Sequence, residues 1–391
     1  MGPVELVSVW KTFRSAEGRE IHAVRELSLV VGQGESVSVL GPSGCGKTTT
    51  LRLIAGLESP TRGIVRMEGR DVTGSEPKDR DVAIVFQNAA LFPHMSAYEN
   101  MAFGLRIRKT PEAEIDRRVR EVAEQLEIAS CLGRLPRDLS GGECQRVAVG
   151  RAFVRRPAVY LFDEPFSSLE ATLRSQLRRL VLDLRKQVSS AMIFVTHDLG
   201  EAMTLGDRIA VMERGTVLQA GRPADVYNAP ASVAVARLIG GARANVISGT
   251  VVSAGAEVVM ALEISGSGDG GIELVCALAG GTLAKGARVL VGVHSDAITI
   301  GPDSDGGADA ACFHGTVAFI ESQGNERLVH LRIGGHRLVA GCRAGGGVRA
   351  GSEVRVRVDF GRACFFDGDS GRRLECVGFG VRPVEFRRQD A

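Results

Sequence analysis

Four short apolar runs punctuate the first half of the chain: residues 36–40 (SVSVL), 82–86 (VAIVF), 159–162 (VYLF) and 191–195 (AMIFV). Each is too short for a helix and reads as a buried strand. Residues 4–10 alternate loosely and predict a strand, followed by a loop carrying Phe13 and a second strand over 21–31. Ile115, Val119, Val122 and Leu126 recur on one helical face with charges opposite. Thr110 is placed as the N-cap of that helix and Pro111 as its first residue. This predicts a small, largely helical insertion ending near Pro136. A further helix opens at Ser140 and runs to about Arg155, and residues 209–212 and 216–219 predict a hairpin. Buried strands alternating with helices indicate an α/β fold.

After Gly240 the pattern changes to short alternating strands, which predict an all-β region. Of the 49 glycines, 28 fall in the last 151 residues, in keeping with many tight turns. The region also repeats itself. Gly249-Thr250-Val251 recurs as Gly315-Thr316-Val317, and Gly286 with Val289, Val291 and Val293 recurs as Gly351 with Val354, Val356 and Val358. Two copies of one barrel-like unit, at about 243–301 and 310–380 with a linker at 301–309, account for this.

Composition narrows the function. The 391 residues suffice for two or three domains. The chain nets +2; the last 151 residues hold 16 basic and 17 acidic side chains, leaving +3 for the first 240. Neither part has the basic excess of a nucleic-acid binder. The eight cysteines include no C-x-x-C pair, which argues against zinc and against a disulfide framework and suits a reducing compartment. The N-terminus has no signal-peptide core, and no apolar run approaches the roughly 18 residues of a membrane span.

The candidate chemistry sits at the ends of the apolar runs. Gly41, Pro42, Ser43, Gly44, Cys45, Gly46, Lys47 and Thr48 fit the phosphate-binding loop G-x-x-x-x-G-K-[ST] between a strand and a helix. Its glycines leave backbone N–H groups free to form an anion nest, to which the helix N-terminus adds positive charge. Lys47 can reach β- and γ-phosphates and Thr48 can ligate Mg²⁺. A glycine-rich turn with a chance lysine is the plain alternative; the flanking strand and helix count against it. Gln87 ends one apolar run. Asp163 and Glu164 end another, suited to holding Mg²⁺ and to acting as general base. His197 ends a third, where open α/β sheets bind ligands. Ser140, Gly141 and Gly142 open a second helix whose N-terminus suits phosphate. Phe13 could stack on a base or simply belong to the core.

Taken together, GPSGCGKTTTLRLIAGLE, VFQNAALFPHMSAYENMAFGLR, LSGGECQRVAVGRA, LFDEPFSSLE and VTHDLGEAM resemble, in order, the ATP-binding subunits of ABC importers of the maltose, polyamine, iron(III), sulfate and phosphonate type. The resemblance covers residues 4–240 densely. It implies an ABC ATPase domain over 1–240, with a helical subdomain at about 88–157, and a TOBE-like, OB-like β-barrel domain over 241–391. It implies ATP and Mg²⁺ as ligands, Phe13 on adenine, and Gly41 to Thr49, including Thr49 itself, as the phosphate loop. Gln87 is implied as the Mg²⁺-sensing glutamine beside the membrane-subunit contact. By the same resemblance Ser140, Gly141 and Gly142 cap the γ-phosphate of ATP held by the opposite subunit. Glu164 is then the base and His197 the switch histidine. The partners implied are a second copy of the chain, integral membrane permease subunits and, indirectly, an extracytoplasmic solute-binding protein, on the cytoplasmic face of the inner membrane. The cargo expected is a small solute of polyamine, iron(III) or phosphonate type. A soluble non-transport ABC ATPase, or a binding protein that has lost hydrolysis, are the alternatives. The chain departs from the family at Glu170, where Asp is usual, at Glu143-Cys144 for Gln-Gln, at Gly150 for Ala, at Ala89 for Tyr and at His294-Ser295-Asp296 for Arg-Pro-Glu.

Overall fold

The apolar runs become the strands of a six-stranded sheet. In the computed structural model, which describes residues 2–255, 257–264, 270–278, 283–301, 310–323, 326–343 and 348–385, the chain begins β1 (Val4–Arg14), β2 (Glu20–Val31), β3 (Ser36–Leu40), α1 (Lys47–Ala55), β4 (Arg62–Met67), β5 (Arg70–Asp71) and β6 (Val82–Val85). Three helices follow: α2 (Ala97–Ile107), α3 (Glu112–Gln125) and α4 (Gly141–Phe153). Then come β7 (Val159–Asp163), α5 (Ala171–Arg185), β8 (Ala191–Thr196), α6 (Leu199–Leu205), β9 (Arg208–Glu213), β10 (Thr216–Gly221) and α7 (Pro223–Asn228). The larger sheet runs β10-β9-β3-β8-β7-β6, parallel except for β10; the smaller, antiparallel one runs β2-β1-β4-β5.

Unbroken apolar strands follow from burial on both faces. Along β7 and β8, Val159, Leu161, Ile193 and Val195 face a core shared with α1 and the antiparallel sheet. Tyr160, Phe162, Met192 and Phe194 face the opposite core, shared with α2, α3, α4 and α5. Phe162 stacks on Phe194 with ring centroids 4.3 Å apart.

Two expectations need correcting. Phe13 lies in β1, paired with Ile21 of β2, and not in a loop. Register shifts along β1 between Leu6 and Thr12 break the alternation that would have marked its far end as strand. Thr110 does not cap α3; Pro111 takes the N-cap position without a side-chain cap. Acids in the first turn compensate, and Glu114 is held down to about 2 by its bonds to Arg117 and Arg118.

Contacts divide the chain into Met1–Val226 and Tyr227–Ala391, so the second unit begins ahead of the change of pattern at Gly240. The second unit includes α8 (Val233–Gly240), whose Val233 and Ala236 pack against Leu290, Cys364 and Phe366. Its strands are β11 (Ala244–Ser253), β12 (Val258–Leu262), β13 (Gly270–Leu278), β14 (Arg288–His294), β15 (Ile298–Ile300), β16 (Ala310–Gln323), β17 (Glu326–Ile333), β18 (His336–Arg343), β19 (Glu353–Asp359), β20 (Cys364–Asp367), β21 (Arg373–Leu374) and β22 (Cys376–Glu385). They form an all-β, OB-like barrel domain of two sheets, β21-β20-β14-β11-β12-β13-β22 and β15-β19-β16-β17-β18. The repeat is visible in detail. The Gly286 N–H donates to the Val251 carbonyl and the Gly351 N–H to the Val317 carbonyl, each at 2.8 Å. These glycines have φ of +87° and +83°, which a side chain would strain. Strands pair across the repeats: β15 of the first with β19 of the second, and β20 and β22 of the second with β14 and β13 of the first. The repeats therefore share one core. Of the expected linker, residues 302–309 lie outside the described residues. Among the described residues no helix is long and apolar enough to cross a membrane.

Candidate nucleotide-binding and hydrolysis site

The strand order β3-β8-β7-β6 brings four chain segments to one sheet edge, because parallel strands end on the same side. After β3 the chain turns through Gly41 to Thr48 into α1. A Cβ on Gly41 would lie 2.2 Å from the Met212 carbonyl oxygen, and one on Gly46 the same distance from that of Ala23. Gly46 is the N-cap of α1, with φ of +109° and no side-chain cap. The first N–H groups of α1 therefore lack a side-chain acceptor, as an anion nest requires. Pro42, Ser43 and Gly44 are exposed, while Cys45 is buried and its thiol is pushed up by burial. Lys47 is only 5% exposed, and its ammonium donates to the carbonyls of Gly41 at 2.8 Å and Pro42 at 3.0 Å.

Beside the loop, the Thr48 hydroxyl donates to Asp163 Oδ1 at 2.8 Å. Burial raises the Asp163 carboxyl above its usual range; the Thr48 bond opposes this and the neighbouring Glu164 adds to it. A hydroxyl and a carboxylate side by side are hard oxygen donors suited to Mg²⁺. No group of three or more acidic, His or Cys side chains that could hold a metal occurs among the described residues. Glu164 follows in the left-handed region, φ +46°, fixed by its N–H donating to the Val195 carbonyl of β8 at 2.9 Å. Strain of this kind concentrates at functional sites. Glu164 Oε2 lies 3.1 Å from His197 Nδ1, and Oε1 lies 3.9 Å from Lys47 Nζ. A carboxylate oxygen accepts, so Nδ1 is the donor of this contact. Lys47, Thr48, Asp163, Glu164 and His197 thus form one contact network.

The other expected residues stand apart from it. Ser140 accepts from the Glu143 N–H at 3.2 Å while Glu143 Oε2 accepts from the Ser140 N–H at 2.7 Å, a complete capping box at α4. Ser140 and Gly141 are exposed, Gly142 is buried, and no hydrogen bond among the described residues joins them to residues 41–48. Glu143 is held down to about 2, first by the Cys131 thiol and then by the Ser140 N–H. Gln87 is exposed just past β6, its carbonyl 3.5 Å from the Ser168 hydroxyl. Thr49 is half-buried in α1, and the Phe13 ring carries the Lys11 ammonium 4.8 Å from its centroid. Glu170 is the N-cap of α5 without making a side-chain cap.

Three supporting groups escaped the sequence reading. Arg80, 3% exposed, donates to the Leu53 and Ile54 carbonyls at the end of α1 and to that of Val72. Thr196 donates to buried Glu201 at 2.6 Å and accepts from the Asp198 N–H, while Asp198 accepts from the Glu201 N–H, locking both neighbours of His197. Buried Gln145 bonds two carbonyls beside the site. Their partners are mostly backbone groups, which leave no mark in sequence spacing.

Two family descriptions match the chain, ABC transporter over residues 24–167 and TOBE domain over 291–366. The trehalose/maltose import ATP-binding protein MalK of Thermococcus litoralis is 44% identical over 390 residues, covering 96% of this chain and all of that protein. The chain belongs to the family of ABC importer ATP-binding subunits. As such it binds ATP and is an ATP hydrolase of the transporter type. The sn-glycerol-3-phosphate import ATP-binding protein UgpC of Escherichia coli K12 is 42% identical over 352 residues, 90% of this chain and 95% of that one. A solved dimeric ATP-binding cassette in a post-hydrolysis state with ADP and phosphate matches with a TM-score of 0.52 and 30% identity, over 56% of this chain and 98% of that chain. These relatives lend no support to a polyamine, iron(III) or phosphonate cargo.

Proposed function

We propose that this ABC importer subunit works as a two-fold dimer that sandwiches two ATP molecules. The uncapped α1 terminus with Lys47 takes the β- and γ-phosphates, Phe13 stacks on the adenine, and Ser140, Gly141 and Gly142 of the second copy close over the γ-phosphate. The observation that carries this reading is the Lys47–Glu164–His197 network beside an open helix terminus. The dimeric cassette that the chain resembles supports the second copy. Thr48, Asp163 and Gln87 would hold Mg²⁺, which when bound neutralises phosphate charge. Glu164 takes a proton from the attacking water as the Pγ–O bond to the bridging oxygen breaks, giving ADP and phosphate. Lys47 faces the charge that develops, and the His197 ring, held by Glu164, contacts the γ-phosphate.

A groove of about 510 Å³ in the first unit, lined by Leu57, Phe86, Phe92, Phe103, Ile107 and Arg151, supports docking of a membrane permease subunit beside Gln87. Leu57 and Ile107 are 47% and 66% exposed there, more than burial in a monomer core would allow. The chain then sits peripherally on the cytoplasmic face, and an extracytoplasmic solute-binding protein acts through the permease. The names of the relatives support a sugar or a glycerol phosphate as cargo.

ATPase assays on wild type, Lys47→Ala and Glu164→Gln test the core of this. Wild type should turn over, with stimulation by its permease. Lys47→Ala should lose ATP binding, and Glu164→Gln should bind ATP with turnover reduced about 10²–10³-fold. Equal rates for all three would overturn it; a rate indifferent to the permease would favour a soluble ATPase.

A further inference from the structure

One buried carboxamide ties together three segments that the mechanism uses separately. Gln145 lies on α4, just past the capping box, and is 2% exposed. Its Nε2 donates to the Phe86 carbonyl at 3.3 Å and to the Pro165 carbonyl at 2.8 Å. Phe86 directly precedes Gln87, and Pro165 directly follows Glu164. The carboxamide therefore links the helix that begins at Ser140 to the segment holding the base and to the segment at the permease groove. We propose that Gln145 is a positioning residue that holds Glu164 and Gln87 in register with the N-terminus of α4. Hydrolysis then depends on its two N–H donors. The inference rests on Glu164 being the base.

The side chain's chemistry makes the assignment specific. Only a neutral group with two hydrogens on one nitrogen can satisfy two carbonyls without burying a charge. Methionine fills similar volume but leaves both carbonyls unpaired. Asparagine keeps the donors but is one methylene short. A glutamate there has the same shape, yet when ionised it offers only acceptors to two acceptors. Burial raises its pKa, and once protonated it regains one donor.

The test measures kcat, KM and ATP-analogue affinity for wild type, Gln145→Met, Gln145→Asn and Gln145→Glu between pH 6 and pH 8.5, each scaled to wild type at the same pH. The expected result is ATP affinity and KM within about 2-fold of wild type and kcat at least ~10-fold lower at pH 8.5 for all three, the size of loss expected from a misplaced catalytic group. For Gln145→Glu alone, the ratio to wild type should climb as pH falls toward 6, while the Gln145→Met ratio stays flat. Preserved ATP affinity shows that the variants are folded. Wild-type kcat in Gln145→Met and Gln145→Glu, or a pH-flat ratio for Gln145→Glu, defeats the inference while leaving Glu164 as base. A Glu164→Gln chain as active as wild type defeats both.

Discussion

Two helices of this protein begin at phosphate-friendly N-termini, and they are finished in opposite ways. The α1 terminus has glycine at the N-cap, no side-chain cap and no acid in its first turn. The α4 terminus has a complete capping box, with the Glu143 carboxylate in its first turn held down to about 2. One end is left electrostatically unsatisfied and waits for an anion. The other is compensated within its own chain, so what it can offer a phosphate is the Ser140 hydroxyl hydrogen and glycine backbone. A nucleotide should bind first at α1, and α4 should contribute only when a second copy brings it to an occupied loop.

The largest effect should come from closing the open end. Gly46→Ser places a side chain at φ +109° and 2.2 Å from the Ala23 carbonyl oxygen. ATP affinity, measured with a fluorescent analogue, should fall at least ~100-fold, because the nest cannot keep its shape. Unchanged affinity would show that the open terminus is not the phosphate site. Opening the closed end should matter less for binding and more for turnover. Ser140→Ala removes the cap, at about 1 kcal/mol of stability, and should lower kcat about 10-fold or more while single-subunit ATP affinity holds.

A third contrast lies in pH. The folded-state pKa of Asp163 is raised by burial, which disfavours its charged form relative to the unfolded chain. Its contribution to stability is present at low pH and is lost as pH rises from the unfolded-state value of 3.8 through the raised folded one. Asp163→Asn should therefore raise the Tm of the nucleotide-free chain at neutral pH and reduce Mg²⁺-dependent turnover; a lowered Tm would refute this. Glu143 behaves oppositely, adding stability above the usual 4.5 that is lost as pH falls toward 2. The smallest effect should be Glu143→Gln. Removing a negative charge from the end that meets phosphate should lower KM for ATP about 2–5-fold, and less at high salt.

Much of this was legible before any coordinates. Residues 159–162 and 191–195 are readable because strands covered on both faces carry no polar interruption, residues 36–40 because Ser36 and Ser38 are small and buried among apolar neighbours, and the groups at their ends follow from parallel topology. Phe13 is not, because bulges in β1 scramble a period that a straight strand would keep. Gln145 and Arg80 are invisible because a polar side chain bonding distant backbone looks in sequence like any solvated residue, and the side-chain pair Thr196–Glu201 because a Thr and a Glu five residues apart carry no mark of burial. The pairing of β15 and β20 across the repeats is equally hidden. Alternation shows which face of a strand is buried, not which neighbour it pairs with.

The central claim is that Ser140 of one copy completes the site built around Lys47 of another. Sedimentation of the Glu164→Gln chain, with and without saturating Mg-ATP and with and without Ser140→Ala, tests it most directly. The account predicts a dimer only with ATP, weakened when Ser140 is replaced. A monomer at saturating ATP, or a dimer indifferent to Ser140, would contradict it.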